Sequence, residues 1–387
     1  MIQAASTENK HQIQSSQRVY LLDSLRSIAA FCVLLGHWRA MFFVDWKDVD
    51  SKNPLLTIFY AVTGFGHEAV LVFFVLSGYL IGSTIVATKE HPHFWGNYLI
   101  SRLLRLYIVI IPALALTFFV DSLGLALFGG GGVYSGQREF GALMLRPIDS
   151  GFAADVFLGN LFFLQTIVVP IYGSNAPMWS LSNEFWYYII FPLLLLSASR
   201  RYILVIRFFF LILAVGILVF VGKDIRFYFL SWLLGVLIVY CPKNFFPKSI
   251  LPAIAGLLLF LTLLANSRVN QGSSVFANEM LPSVGFAVLL WTFRNTYLWN
   301  ADGKIMRAAG WISDRSFSIY AYHAPLLVFA RAWFSQETRI QPTLAGFLWP
   351  SACLLGTIAI IIVLAQCTEV HFIKVRRWIL TRISKHE

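Results

Sequence analysis

Runs of about twenty mostly apolar residues follow one another along this chain, each long enough to cross a hydrocarbon core as a helix. Eleven such runs stand out, at about 20–43, 66–87, 104–127, 153–170, 179–198, 202–221, 225–240, 249–266, 279–294, 311–333 and 345–367. None alternates with period two, which argues against a transmembrane barrel. Of the 387 residues, 58% are apolar and only 13% charged, about half the roughly 25% of a soluble domain. That composition excludes a soluble enzyme, a disordered chain and a disulfide scaffold. The expected fold is all-α, a polytopic transmembrane helix bundle. Cys32, Cys241, Cys353 and Cys367 show no paired spacing and read as structural thiols.

The net charge of +11 reads as loop charge that orients the helices in the lipid bilayer, not as a nucleic-acid surface. Lys374, Arg376, Arg377, Arg382 and Lys385 place the C-terminus in the cytoplasm. The polar N-terminus is expected to carry no cleavable signal peptide and also reads as cytoplasmic. Two inner ends require an even number of crossings. The weakest run is 153–170, which is short and contains Asn160, Gln165 and Pro170. It is expected to be re-entrant or packed on the outer face, leaving about ten spanning helices. On that count the inner segments hold 18 of the 30 Lys and Arg and the outer segments 10. The expected organisation is a polar cytoplasmic N-terminus (1–19), a membrane domain (20–367) and a basic cytoplasmic tail (368–387). The loop at 128–152 opens with four glycines, Gly129 to Gly132, and is too short to fold alone. No internal repeat of the kind many transporters carry is visible.

Ionisable groups within hydrocarbon cost several kcal/mol each and mark candidate sites. The first span has Asp23 and Arg26 near its inner end and His37 towards its outer end. Arg26 and His37 are eleven positions apart, so on a helix they share a face about 16 Å apart along the axis. Either Arg26 snorkels and pairs with Asp23 while His37 is a satisfied core residue, or the two form part of a site. Ser77, Gly78 and Tyr79 on the second span read either as a close-packing seam or as the lining of a cavity. Arg102 and Arg105, one turn apart, are either inner-face anchors or a phosphate clamp. The stretch Trp179, Ser180, Asn183, Glu184 puts a carboxylate one to two turns into a span, which an interfacial aromatic belt does not explain. Tyr320 and His323 lie near mid-membrane, just before the kinking Pro325. His91 and His93 read as a solvated loop, His67 and Glu68 as interfacial, and no metal site is expected.

Taken together these stretches resemble the membrane acyltransferase 3 family. They are Leu22 to Ala30 leading to His37, Phe73 to Leu80, Arg102 with Arg105, Trp179-Ser180-Leu181 with Glu184, and Ser316, Ser318, Ile319 and Tyr320 leading to His323. Five motifs in one order, spread from 22 to 323, are specific where any one alone is weak. The chain departs from the pattern in having Ser27 after Arg26, where the family often has glycine. Because the sequence ends soon after its last span, the expectation is a stand-alone membrane unit without the C-terminal esterase-like domain that many members carry.

The resemblance implies an enzyme with no bound cofactor that uses acyl-CoA as co-substrate. It would move an acyl group, often acetyl, from cytoplasmic acyl-CoA to a hydroxyl of an extracytoplasmic or lipid-linked glycan. Its expected place is a bacterial inner membrane, alongside polysaccharide-biosynthesis partners. Carried onto this chain, Arg102 and Arg105 would hold donor phosphates, with Arg26 held in place by Asp23. Ser77, Gly78 and Tyr79 would line the thioester's path. His37 would be general base or acyl carrier, with Glu184 orienting it or stabilising its charged form. His323 would bind acceptor or act as base, and Trp179, Ser180, Asn183 and Tyr320 would line the acceptor cavity. Two other classes fit part of the pattern. A proton-coupled transporter would use His37, Glu184 and His323 as a relay, and a scaffold would use the polar groups to join helices.

Overall fold

A computed structural model describes residues 2–88, 94–144, 146–242, 245–247, 249–269, 274–294, 303–335 and 338–383. His91 and His93 lie outside the described residues, as do Lys89, Lys243, Lys248 and Lys385 from the inner charge count. The described chain is built of helices. In order they are α1 (Ile2–Phe42), α2 (Pro54–Val62), α3 (Gly66–Thr88), α4 (Phe94–Phe128), α5 (Ala154–Leu161), α6 (Met178–Ala198) and α7 (Leu204–Phe220). Then follow α8 (Gly222–Tyr240), α9 (Leu251–Val269), α10 (Val275–Phe293), α11 (Gly303–Ser313), α12 (Ser316–Phe334), α13 (Leu348–Cys367) and α14 (Phe372–Ile383). Among the described residues the only β pairing is two isolated bridges, Phe43 with Ile340 and Gln165 with Val169.

The expectation of an all-α polytopic membrane protein holds. The number of helices long and apolar enough to cross is lower than the expected ten. Among the described residues it is six: Pro54–Thr88, Phe94–Phe128, Met178–Ala198, Leu251–Val269, Phe276–Phe293 and Leu348–Arg382. A seventh is added if α7 and α8, bent by 118° at their junction, count as one span. The shortfall has a physical cause. α12 carries Ser316, Ser318, His323 and Arg331, α8 opens on Lys223, Asp224 and Arg226, and α1 is polar over its first half. The run at 153–170 contains only the eight-residue α5 followed by a looped return. At 1.5 Å per residue that helix is about 12 Å long, well short of the ~30 Å hydrocarbon core.

The chain forms two compact units. The first contains α1 up to Phe31, α3, α8 from Tyr228, α9, α10 and α11. Its core joins Leu22, Val75, Leu76, Tyr79, Ile238, Phe286 and Leu290. Small residues let its helices touch. A Cβ on Gly78 would collide with the Trp232 carbonyl oxygen, and one on Gly235 with the Val75 carbonyl oxygen. In lipid, where apolar burial between helices gains little, such close backbone contact is what holds neighbours together.

The second unit contains α1 from Cys32, α2, α4 to α7, and α12 to α14. Gly36 packs against Gly66 and the Thr63 carbonyl. Trp38 donates its indole N–H to the Pro350 carbonyl at 2.7 Å. Arg331, one of the ten Lys and Arg that the charge count assigns to outer segments, is instead fully buried. It donates to the Met41 carbonyl at 2.9 Å and to the Ser335 and Thr338 carbonyls, closing the end of its own helix. The glycine-rich loop also folds onto this unit, burying Tyr134, Phe140 and Ile148 through three short 3-10 turns.

Candidate active site

His37 and His323, 286 residues apart, meet in the second unit. His37 Nδ1 lies 2.8 Å from His323 Nε2, and the two rings lie edge to edge, centroids 5.1 Å apart and planes 14° from parallel. His323 Nδ1 lies 2.9 Å from the Ile319 carbonyl oxygen. A carbonyl only accepts, so His323 carries a proton on Nδ1. In the neutral ring its Nε2 is then the acceptor, and the bond to it comes from His37 Nδ1–H. That sequence of bonds leaves the His37 lone pair on Nε2, the arrangement of a general base backed by a proton acceptor. His323 is fully buried while His37 is half-buried, so His37 is the ring a substrate can reach.

The helix carrying His323 is held on three sides. Glu369, just after α13, accepts from the backbone N–H of Phe317 (3.2 Å) and Ser318 (2.8 Å), capping the first turn of α12 with a carboxylate. Pro325 has no N–H, so the Ala321 carbonyl loses its partner within the helix. Asn175 supplies the missing donor from its Nδ2 at 2.9 Å. Asn175 also donates to Thr117 Oγ1 at 3.1 Å, and the buried Asp121 fixes the next residue back by accepting from Ser174 N (2.8 Å) and Oγ (2.7 Å). On the third side Ser180 of α6 is hydrogen-bonded to Tyr320 at 2.7 Å, and the Tyr320 ring lies 6.2 Å from that of His323. The same proline device recurs in α6. Pro192 orphans the Tyr188 carbonyl, and Tyr98 OH lies 3.4 Å from it.

Sequence reasoning did not single out Asn175, Asp121, Thr117 or Glu369. The signal for Asn175 was present, because Pro325 announces a carbonyl that needs an outside donor. Among the expected acceptor residues, Asn183 is buried with its Nδ2 unbonded among the described residues, as is Asn175 Oδ1. Trp179 is half-buried at the start of α6. Glu184 makes no ion pair or hydrogen bond among the described residues, and the partner of His37 Nδ1 is His323, where Glu184 was expected to orient that ring. Glu184 instead lies in the electrostatic neighbourhood of Tyr98, Arg102 and Tyr320.

Arg102 and Arg105 point to aromatic rings. Arg102 sits over Tyr98 (5.7 Å) and Tyr188 (5.9 Å), Arg105 over Phe317 (4.8 Å) and Phe372 (5.7 Å). Neither has a carboxylate ion-pair partner among the described residues, and Arg102 Nε is buried without a hydrogen bond there. From Phe317 to His323 is six residues of α12, about 9 Å along the axis.

In the first unit Asp23 and Arg26 meet at 4.0 Å, as expected. Arg26 also donates to Ser316 Oγ at 3.1 Å, and Asp23 accepts from Ser313 Oγ at 2.9 Å. The cavity role expected of Ser77, Gly78 and Tyr79 is corrected. Ser77 Oγ accepts from Trp232 Nε1 at 3.2 Å, Gly78 abuts the Trp232 backbone, and Tyr79 belongs to the buried core. The close approach of α3 to α8 uses up the small-residue face, so the packing alternative is the one realised.

Comparison with known proteins identifies the family. An acyltransferase 3 family model, described as an acyltransferase domain, matches residues 19–366. Acyltransferase MdmB of Streptomyces mycarofaciens is 28% identical over 178 residues, 46% of this chain and 39% of that protein. An uncharacterized protein of Haemophilus influenzae is 30% identical over 155 residues, 37% of this chain and 58% of that protein. The matched region thus spans about two fifths to three fifths of these relatives' length. No solved structure matches. With the family model covering most of its length, the chain belongs to the acyltransferase 3 family.

Proposed function

We propose that the protein transfers an acyl group, acetyl in the simplest case, from acyl-CoA to a hydroxyl of a glycan or glycolipid. The observation that carries the proposal is the His37–His323 pair, with His323 Nδ1 tied to the Ile319 carbonyl. The acceptor hydroxyl gives its proton to His37 Nε2 as its oxygen attacks the thioester carbonyl. The C–S bond breaks, the new C–O ester forms, and the CoA thiolate takes the proton from His37. As charge develops on His37, its Nδ1–H bond to His323 strengthens, because a hydrogen bond from a charged donor is stronger than a neutral one. His323 is thus a positioning residue whose Nε2 accepts the hydrogen bond from the base. Donor phosphates sit at Arg102 and Arg105, and the pantetheine arm covers the ~9 Å of α12 between Phe317 and His323. Asn183 Nδ2 offers a donor to the thioester oxygen, and Asn175 Oδ1 an acceptor to a hydroxyl of the glycan. Glu184 balances the charge of Arg102.

In this reading the Arg102 and Arg105 end is cytoplasmic, both termini lie inside, and the membrane is the bacterial inner membrane. The product passes to polysaccharide-biosynthesis partners. The test is transfer of label from radiolabelled acetyl-CoA to a glycan fraction of cell envelope by the purified protein in lipid. Label reaching glycan only when the protein is present supports the proposal. Proton-driven uptake of a solute, with no CoA dependence, would overturn it.

A further inference from the structure

Sequence reasoning took the basic tail as an orientation signal alone, but its helix returns to the arginine pair. Arg376 of α14 donates from Nε to Ser101 Oγ at 2.7 Å. One turn earlier on α14, Phe372 lies under Arg105, which is itself one turn beyond Ser101. Advancing four residues on α4 means retreating four on α14, so the two helices run antiparallel, with Arg105 and Arg376 about one turn (5.4 Å) apart along their seam. The approach is fixed. The 3-10 turn Glu369–His371 starts α14, and Glu369 is tied to the first turn of α12. Thr368 is 3.1 Å from the Tyr322 hydroxyl.

The guanidinium groups of Arg105 and Arg376 are therefore neighbours at one end of the second unit, with Arg102 one turn before Arg105 on α4. Among the described residues none of Arg102, Arg105 and Arg376 has a carboxylate within ion-pair distance, Glu184 acting on Arg102 only from farther off, and Arg102 Nε is buried without a hydrogen bond. Like charges brought together by a fixed tether repel one another unless an anion joins them, and planar guanidinium groups match phosphate oxygens in fork geometry. Arg376 is exposed, so an incoming ligand can reach it.

We propose that Arg376 is a third phosphate-binding arginine, which makes α14 part of the donor site. The inference rests on the reading of Arg102 and Arg105 as donor-phosphate residues. The shared chemistry is a phosphate ester, and it has two possible sources: the nucleotide end of the donor or the headgroup of an anionic lipid.

The test measures CoA binding to the full-length protein in nanodiscs of zwitterionic phosphatidylcholine, and repeats it with anionic phosphatidylglycerol added. Arg376→Gln, Lys374→Gln and the Arg102→Gln/Arg105→Gln double variant are compared with wild type, each checked for thermal unfolding. With the donor as source, R376Q weakens CoA binding about tenfold or more in zwitterionic discs, and K374Q does not. With the lipid as source, CoA binding is unchanged, but the stability wild type gains from phosphatidylglycerol disappears in R376Q. An R376Q protein equal to wild type in both arms overturns the proposal. Failure of the underlying reading looks different: CoA fails to bind wild type, or binds R102Q/R105Q as tightly.

Discussion

Replacing His323 with phenylalanine isolates the hydrogen bond between the two histidines. Phenylalanine keeps a planar ring of similar size in a fully buried position. It leaves no carbonyl orphaned, because Ile319 still accepts the backbone N–H of residue 323 within α12. What disappears is the acceptor 2.8 Å from His37 Nδ1. In the resting enzyme that bond is neutral. In the transition state His37 is cationic, and a hydrogen bond to a charged group is worth roughly 1.5–3 kcal/mol. At 1.36 kcal/mol per decade, the loss is about 10- to 150-fold in kcat. Because the charge exists only after proton transfer, KM for acyl-CoA should not move. The assay is steady-state transfer of labelled acetyl at saturating donor, with thermal unfolding as the control for folding. A His323→Phe protein that unfolds like wild type and keeps wild-type kcat would refute the reasoning. So would one whose whole defect lies in KM.

Three further outcomes follow from other parts of the structure. Gly78→Ala should unfold at lower temperature, by an overpacking cost of about 1–3 kcal/mol, because its methyl group meets the Trp232 carbonyl; a protein as stable as wild type would show that α3 and α8 do not touch there. Asn175→Ala should lower stability by roughly 1–3 kcal/mol, because the Ala321 carbonyl beside Pro325 loses its donor, and should reduce kcat as α12 loosens; unchanged values in both assays would contradict that role. The third concerns pH. Asp45 receives two bonds from Arg339, at 2.9 and 3.0 Å, which hold its carboxyl below the ordinary value of 3.8. Its folded-state pKa is depressed, so the clasp contributes fully above pH 3.8 and is lost as the pH falls below it. Proteolysis of the segment around Asp45 should rise in that acid range in wild type, and Asp45→Asn should remove the pH dependence. Half of the Asp45 side chain is exposed, so the effect on global stability should be small.

The helical class was legible because apolar runs of spanning length have few other solutions, and the two histidines and two arginines were legible because charge is costly in hydrocarbon. The spanning count was not. α12 keeps Ser316, Ser318, His323 and Arg331 against protein instead of lipid, whereas the charges that open α8 are exposed, and hydropathy alone reads both as a penalty. The partner of His37 was also out of reach. Glu184 and His323 are both intramembrane candidates, and only the three-dimensional path of α12 brings one of them to 2.8 Å. Ser77-Gly78 was ambiguous for a related reason. A small-residue face serves equally for a cavity or for a neighbouring helix, and Gly235 on α8 provides the complementary face 157 residues away in sequence. Arg376 was legible as charge but not as a neighbour of Ser101, because nothing local dictates that α14 folds back along α4.

The central claim is that His37 and His323 act as one catalytic unit in acyl transfer. A double-mutant cycle in single-turnover transfer from labelled acetyl-CoA tests it most directly, with wild type, His37→Ala, His323→Phe and the combination, all in the same lipid. The account predicts a loss of about 10²- to 10⁴-fold for His37→Ala. It predicts no further loss when His323→Phe is added, since a partner has nothing to support once the base is gone. Losses that multiply across the two positions, or transfer at the wild-type rate without His37, would contradict it.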